Sequence, residues 1–211
     1  MSSTRAEIAA AQVVLWRGRD IAISPVSGGL TNENYLVECG GDRYVMRLPG
    51  RSTELLSIDR ANEVYNTRAA ASTGIGPRVL EHVPGLDVMV LEFIPGVTMS
   101  AVALQSEQMA ARMAESFQRL HSAPRFLHDF NMFRLIRRYL DIVDEHAVAI
   151  PEGYRDWLPT VARIERAVSA AALPSRPCHN DLLCENFIDD GQALRIVDFE
   201  LSGNNDPCFD L

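Results

Sequence analysis

The sequence predicts an α+β protein, and three observations carry that prediction. Up to residue 94, short apolar runs are broken by Gly- and Pro-containing turns, as strands are, with one long helical stretch among them. Beyond residue 95, apolar residues recur every three or four positions, the helical period. The two patterns are segregated rather than interleaved. Residues 1–94 and 95–211 are therefore expected to form two lobes, with a ligand cleft between them.

The elements follow in order. "MSSTRAEIAAAQVVLWRGRD" has no basic run before its apolar stretch and no clear cleavage site, so it reads as a first helix rather than an export signal. "DIAISPV" (20–26) is a strand whose Pro25 suits an edge or an end. "NYLVECGGDRYVMRL" (34–48) is two strands around the hairpin signal Gly40–Gly41–Asp42. Residues 53–74 read as a helix with Leu56, Ala61, Val64 and Ala71 near one face and Gly74 as its stop. "PRVLEHV" and "LDVMVLEFI" are two further strands joined through Pro84–Gly85. That makes a five-stranded lobe with one helix.

In the second part, Met109, Met113, Phe117 and Leu120 mark a helix with an apolar core face. "FRLIRRYLDIVDEHAVA" and "YRDWLPTVARIERAVSAA" continue as helices until Pro174 and Pro177. "ENFID" and "ALRIVDF" are short strands around Asp190–Gly191, a hairpin between Asn186 and Asp198.

Composition narrows the function classes. The apolar fraction of 47% and charged fraction of 23% are ordinary for a globular chain, and no apolar run is long enough to span a bilayer. Cys39, Cys178, Cys184 and Cys208 are scattered without a C-x-x-C pair, which predicts free thiols and a reducing cytoplasm. Cys178 and Cys184 are expected to act as small buried hydrophobes. From Pro177 onward, eight carboxylates face Arg195 alone, while the rest of the chain is nearly balanced. Such a surface disfavours nucleic acid and favours a metal cation or a cationic small molecule. All twenty basic residues are Arg, so any anion-binding chemistry must use guanidinium groups.

The chemistry concentrates in "CHNDLLCENF" (178–187). One imidazole, two carboxylates and two carboxamides stand there among apolar neighbours, where unpaired polar groups are costly. His179, Asp181 and Asn186 give the pattern H-N-D-x-x-x-x-N, and "IVDFE" brings Asp198 twelve residues after Asn186. The order matches the kinase arrangement H-R-D-x-x-x-x-N followed by D-F-G, with Asn180 in place of Arg and Glu200 in place of Gly. A short loop would present Asp181 to an acceptor hydroxyl, and the hairpin would return Asp198 beside Asn186. The amide and carboxylate oxygens of Asn186 and Asp198 suit Mg²⁺, and Asp181 suits a general base. His179 is expected to brace the loop.

With these residues in place, the chain resembles the choline/ethanolamine kinase branch of the aminoglycoside-phosphotransferase-like kinases. The matching stretches are "SGGLTNENYLV", "YVMRLPG", "RANEVYNTRAAASTGIGPRVL", "LEFIPG", "CHNDLLCENF", "IVDFE" and "NDPCFDL", in family order over almost the whole chain. The resemblance implies a protein-kinase-like two-lobe fold and an ATP- and Mg²⁺-dependent kinase acting on choline, ethanolamine or a similar amino alcohol. It implies that Ser27, Gly28, Gly29, Thr31, Asn32 and Asn34 cover the phosphates, where adjacent glycines admit close backbone approach. Arg47 would bind phosphate with Glu63 holding it, and backbone groups of Glu92 and Ile94 would meet adenine. Glu200 would assist metal binding or meet a cationic acceptor. Asp210 would cap a following helix or anchor the catalytic loop. The family continues past "CFDL" through helices that form much of the acceptor pocket, so the helical lobe is expected to lack its last helices. Thiamine or an aminoglycoside as acceptor, and a nucleotide-binding module without catalysis, stay open as alternatives.

Overall fold

The computed structural model describes residues 4–26, 31–50, 53–171 and 173–211. The expected five-stranded sheet is present: β1 Ile21–Val26, β2 Asn32–Cys39, β3 Asp42–Pro49, β4 Val79–Val83 and β5 Val88–Glu92. Its spatial order is β1-β2-β3-β5-β4, and every neighbouring pair is antiparallel. Gly40 and Gly41 turn β2 into β3 with φ of +61° and +92°, backbone that glycine adopts without a Cβ penalty. Helix α1, Arg5–Ala10, starts in a capping box between Thr4 and Glu7. Its Ala6, Ala9 and Ala10, with Val13 and Trp16, bury against Val37, Met46, Leu48, Val88 and Val90 of the sheet.

Helix α2, Arg60–Ser72, is shorter than the expected 53–74. Asp59 caps it by accepting from the Asn62 N–H at 3.0 Å, and a separate 3₁₀ turn, Thr53–Leu56, precedes it. Ser57, in the left-handed region at φ +56°, breaks the two apart. The buried face also differs from the apolar one expected. Asn62, Glu63, Asn66 and Thr67 are buried alongside Val64, Ala69 and Ala70, while Ala61 is exposed.

Past Glu92 the chain enters β6, Val97–Thr98, which pairs not with that sheet but with β8, Phe187–Asp189. Gly96 permits the crossing, since a Cβ there would run into the Asp189 carbonyl. Helices α3 Ala101–Leu104, α4 Glu107–His121, α5 Met132–Glu145 and α6 Leu158–Ala170 follow. Strands β7 Arg176–Cys178 and β10 Gly203–Asn205 pair with each other, and β8 pairs with β9, Leu194–Ile196. The expected hairpin thus exists, although its first strand starts at Phe187 after a 3₁₀ turn over Cys184–Asn186. Phe187, Leu194, Ile196 and Phe199 join Ala69, Ala70, Phe117, Leu120 and Phe126 in a second core. The hairpin that carries the motif is therefore rooted in apolar packing. Cys178 is buried as expected, whereas Cys184 is only partly so. Among the described residues, no helix is long and apolar enough to cross a membrane.

Candidate active site

Apolar side chains on both sides of the hairpin fix where its polar ones stand. Asn186 ends the 3₁₀ turn just before buried Phe187, and its carbonyl accepts the Val197 N–H at 2.9 Å. Asn186 and Asp198 are therefore brought to the same end of the hairpin. The Asn186 carboxamide donates Nδ2 to the Asp181 carbonyl at 2.8 Å, which ties the preceding loop to that end as well. Asn186 and Asp198 thus share one cavity, and the backbone of Asp181 is held next to it, outside its lining. Asn180 and Asp198 both sit in the left-handed region, at φ +66° and +72°, which Asn and Asp tolerate better than other side chains.

His179 is fully buried, bonds Val197 O through Nε2 at 2.9 Å and meets Phe199 edge-on. It braces the loop, as expected. Asp210 anchors the loop from the other side. One carboxylate accepts the N–H groups of His179 at 3.0 Å and Asn180 at 2.9 Å, and lies 3.0 Å from His121 Nε2. Of the two roles expected for Asp210, loop anchoring is the one observed. Burial pushes its carboxyl up, but the bonds from His121, Asn180 and His179 outweigh that and hold it below the ordinary aspartate value. Cys178 joins His121 and Asp210 in a group with metal-ligand atoms close together. The carboxylate in that group is already spent on the loop.

The Asp181 carboxyl is raised above the ordinary range, chiefly by burial, with the charge of Asp198 acting in the same direction and His179 against it. That interaction is a second sign that the two carboxylates share one region. A carboxylate raised in this way is a stronger base than an exposed one.

The cation is Arg47, buried on β3. Its Nη1 lies 2.7 Å from Glu63 Oε1 and 2.7 Å from Asp198 Oδ1, and its Nε donates to Asn34 Oδ1 at 3.2 Å. Burial would weaken its hold on a proton, but the charges of Asp198 and Glu63 more than reverse this, so the guanidinium is firmly charged. Glu63 is shared: its second oxygen takes Arg60 Nη1 at 2.7 Å.

A cavity of about 360 Å³ lies between the sheet and the hairpin. Asn34, Arg47, Asn186 and Asp198 bring polar groups to it, and Val45, Leu91, Ile94, Ile188 and Val197 bring apolar walls. Glu92 lines it too, but its N–H is committed to Arg78 O at 2.9 Å and its carboxylate to the Arg78 backbone and guanidinium. Thr31, Asn32 and Glu63 stand outside its lining. Ser27, Gly28 and Gly29 lie outside the described residues. The side-chain oxygens of Asn186 and Asp198 form a hard donor set that fits Mg²⁺. With the Asn186 nitrogen turned toward Asp181 O, its amide oxygen is the atom left for a cation.

Glu200 stands apart from this donor set. Oε1 accepts from Thr31 Oγ1 at 2.5 Å and Oε2 from Asn32 Nδ2 at 2.7 Å. Neither these links nor the part of Arg60 was foreseen. Only the unusual Glu in D-F-E hinted at a special group there.

Residues 22–211 match the phosphotransferase enzyme family. The chain belongs to that family. It is 29% identical over 189 residues to Protein LicA of Haemophilus influenzae, covering 87% of this chain and 55% of that protein. A choline/ethanolamine kinase family protein from Mesorhizobium loti has a crystal structure that is 36% identical, covers 97% of this chain and 67% of that one, and superposes with a TM-score of 0.79. The choline kinase LicA from Streptococcus pneumoniae is 25% identical, with 98% and 73% coverage and a TM-score of 0.84. These place the chain on the choline/ethanolamine kinase side of the family, with a protein-kinase-like fold. The chain spans about half the length of the Haemophilus relative.

Proposed function

We propose that this chain carries the nucleotide site and catalytic loop of an ATP- and Mg²⁺-dependent kinase whose acceptor is choline, ethanolamine or a similar amino alcohol. The observation that supports it is that Arg47, Asn186 and Asp198 line one interlobe cavity, with Arg47 bonded to Asp198 and Asn186 holding the Asp181 backbone beside it. Adenine would lie between Leu91, Ile94 and Ile188. Glu92, with its N–H engaged, would offer its carbonyl, and Ile94 its N–H. Asn34 and Arg47 would orient the phosphates, with Ser27, Gly28 and Gly29 covering them.

Asn186 and Asp198 would hold Mg²⁺, which when bound neutralises charge on the phosphate oxygens. Asp181 takes the proton of the acceptor hydroxyl as that oxygen bonds to the γ-phosphorus and the bond to the β-phosphate bridging oxygen breaks. The products are a phosphate monoester and ADP. The acidic segment from Pro177 onward supplies a field that attracts a cationic acceptor. The free thiols suit a reducing cytoplasm.

The test is ATP turnover with choline, ethanolamine, thiamine and an aminoglycoside as acceptors. Transfer to choline or ethanolamine supports the reading. Transfer to the aminoglycoside or thiamine alone overturns the acceptor, and nucleotide binding without transfer to any of them points instead to a non-catalytic module.

A further inference from the structure

Glu200 follows Asp198 by two residues, yet its carboxylate is turned to the opposite lobe. It is buried at 7% exposure and accepts from two consecutive residues, Thr31 and Asn32, where the chain enters β2. Thr31 is pinned from behind as well, its carbonyl accepting the Gly50 N–H at 2.8 Å. Behind the carboxylate stands Arg60, whose Nη1 is 3.7 Å from Glu200 Oε2 and 2.7 Å from Glu63 Oε2. Glu63 in turn holds Arg47, and Arg47 holds Asp198. Charges of alternating sign thus run from Glu200 through Arg60, Glu63 and Arg47 to Asp198. The run begins at the segment beside the expected phosphate cover and ends at an expected metal ligand.

We propose that Glu200 is a positioning residue that latches the start of β2 onto the Asp198 segment, with Arg60 coupling the latch to Glu63. This rests on the phosphotransferase reading. Both carboxylate oxygens accept a hydrogen bond from the opposite lobe, and these contacts are what the latch rests on. Its burial without a partner would be costly, and Thr31, Asn32 and Arg60 compensate it only when the two lobes are in register. The side chains of Thr31 and Asn32 accordingly serve the latch rather than the nucleotide. What the latch sets is the position of the start of β2, whose Asn34 lines the cavity beside Arg47, and hence nucleotide affinity.

The experiment compares Thr31→Val, Glu200→Asp and the double variant with the wild-type chain. ATP affinity is measured by equilibrium binding, and kcat and KM with an acceptor that is turned over. Thr31→Val removes one donor at nearly constant shape, and Glu200→Asp keeps the charge but withdraws it by one methylene. Each is expected to weaken ATP binding roughly tenfold, as loss of a hydrogen bond to a charged group does. The magnesium requirement should not change. The double variant should bind no worse than the weaker single variant, because both changes break one link. Unchanged ATP affinity in Thr31→Val, additive losses, or a raised magnesium requirement in Glu200→Asp would each overturn the latch. If no acceptor is phosphorylated, the kinase reading fails while the binding comparison still decides the latch.

Discussion

Arg47 and Asp198 are joined at 2.7 Å across the two lobes, from β3 to the segment after β9. Arg47 is buried and Asp198 partly so, and the same guanidinium nitrogen also meets buried Glu63 at 2.7 Å. Removing the cation would leave buried Glu63 with Arg60 alone and Asp198 without its ion pair. Arg47→Ala is therefore expected to cost about 3 kcal/mol of stability, the scale of a broken buried pair, and to weaken ATP binding. Arg47→Lys restores the charge without the planar fork and should recover only part of both losses. Urea denaturation and equilibrium nucleotide binding check the two effects separately.

Asp181 gives a prediction in which activity and stability move in opposite directions. Burial raises its carboxyl in the folded state, so the protonated form is favoured by folding. That contribution is complete below the ordinary aspartate value and is lost as pH rises through the raised folded value. At neutral pH the ionised group is a burden to the fold. Asp181→Asn should lower kcat by about a hundredfold to ten-thousandfold, the usual worth of a positioned base, while raising Tm at pH 7. The gain in Tm should vanish at a pH low enough to protonate Asp181. In the wild type, kcat should fall on acidification at a pH above that expected for an exposed aspartate. A variant with near-normal kcat would refute the base.

How much of this was legible follows from range. The hairpin was readable because Phe187, Leu194 and Ile196 alternate around a Gly-containing turn, a signal within a dozen residues. That spacing also announced Asp181, Asn186 and Asp198. The link from Thr31 and Asn32 to Glu200 spans almost the whole chain, and no local pattern encodes it. On α2 the hydrophobic pattern misled for a physical reason: its buried face is polar, satisfied by distant partners, so apolar periodicity could not mark it. Leu56 reads as part of that helix's apolar face, yet it is exposed on a 3₁₀ turn. Strands β6, β7 and β10 are two or three residues long, too short to show alternation.

Asp210 serves both His179 and Asn180 through backbone N–H groups, so its removal should disturb the catalytic loop rather than the nucleotide cavity. Asp210→Ala is expected to lower kcat strongly while leaving ATP affinity within about twofold, since Asp210 lies outside the cavity lining. Its lowered carboxyl stabilises the fold above the ordinary aspartate value, and that stability is lost as pH falls through the folded value. The variant should thus flatten the acid limb of the stability curve. Loss of ATP binding equal to the loss of kcat would count against the anchoring role.

Asn66 tests whether the polar face of α2 is structural. It is fully buried, donates Nδ2 to Asn62 Oδ1 at 3.1 Å, to Ser202 O at 3.1 Å and to Ser202 Oγ at 3.0 Å, and accepts the Leu127 N–H at 3.0 Å. These bonds join α2 to the segments before α5 and after Glu200. Asn66→Ala would leave the Leu127 N–H without its acceptor, take one of two partners from the Ser202 carbonyl and hydroxyl, which keep Asn62 Nδ2 and Phe199 O, and open a small void, at a cost of about 2–4 kcal/mol. Asn66→Asp keeps the acceptor for Leu127 but sets a carboxylate against the Ser202 carbonyl, and should destabilise at least as much at neutral pH. Acidification should then rescue Asn66→Asp relative to Asn66→Ala, because the protonated acid can donate again. Urea denaturation of both variants at neutral and acidic pH reads the outcome. Equal stabilities at both pH values would mean that the carboxamide contributes only its volume.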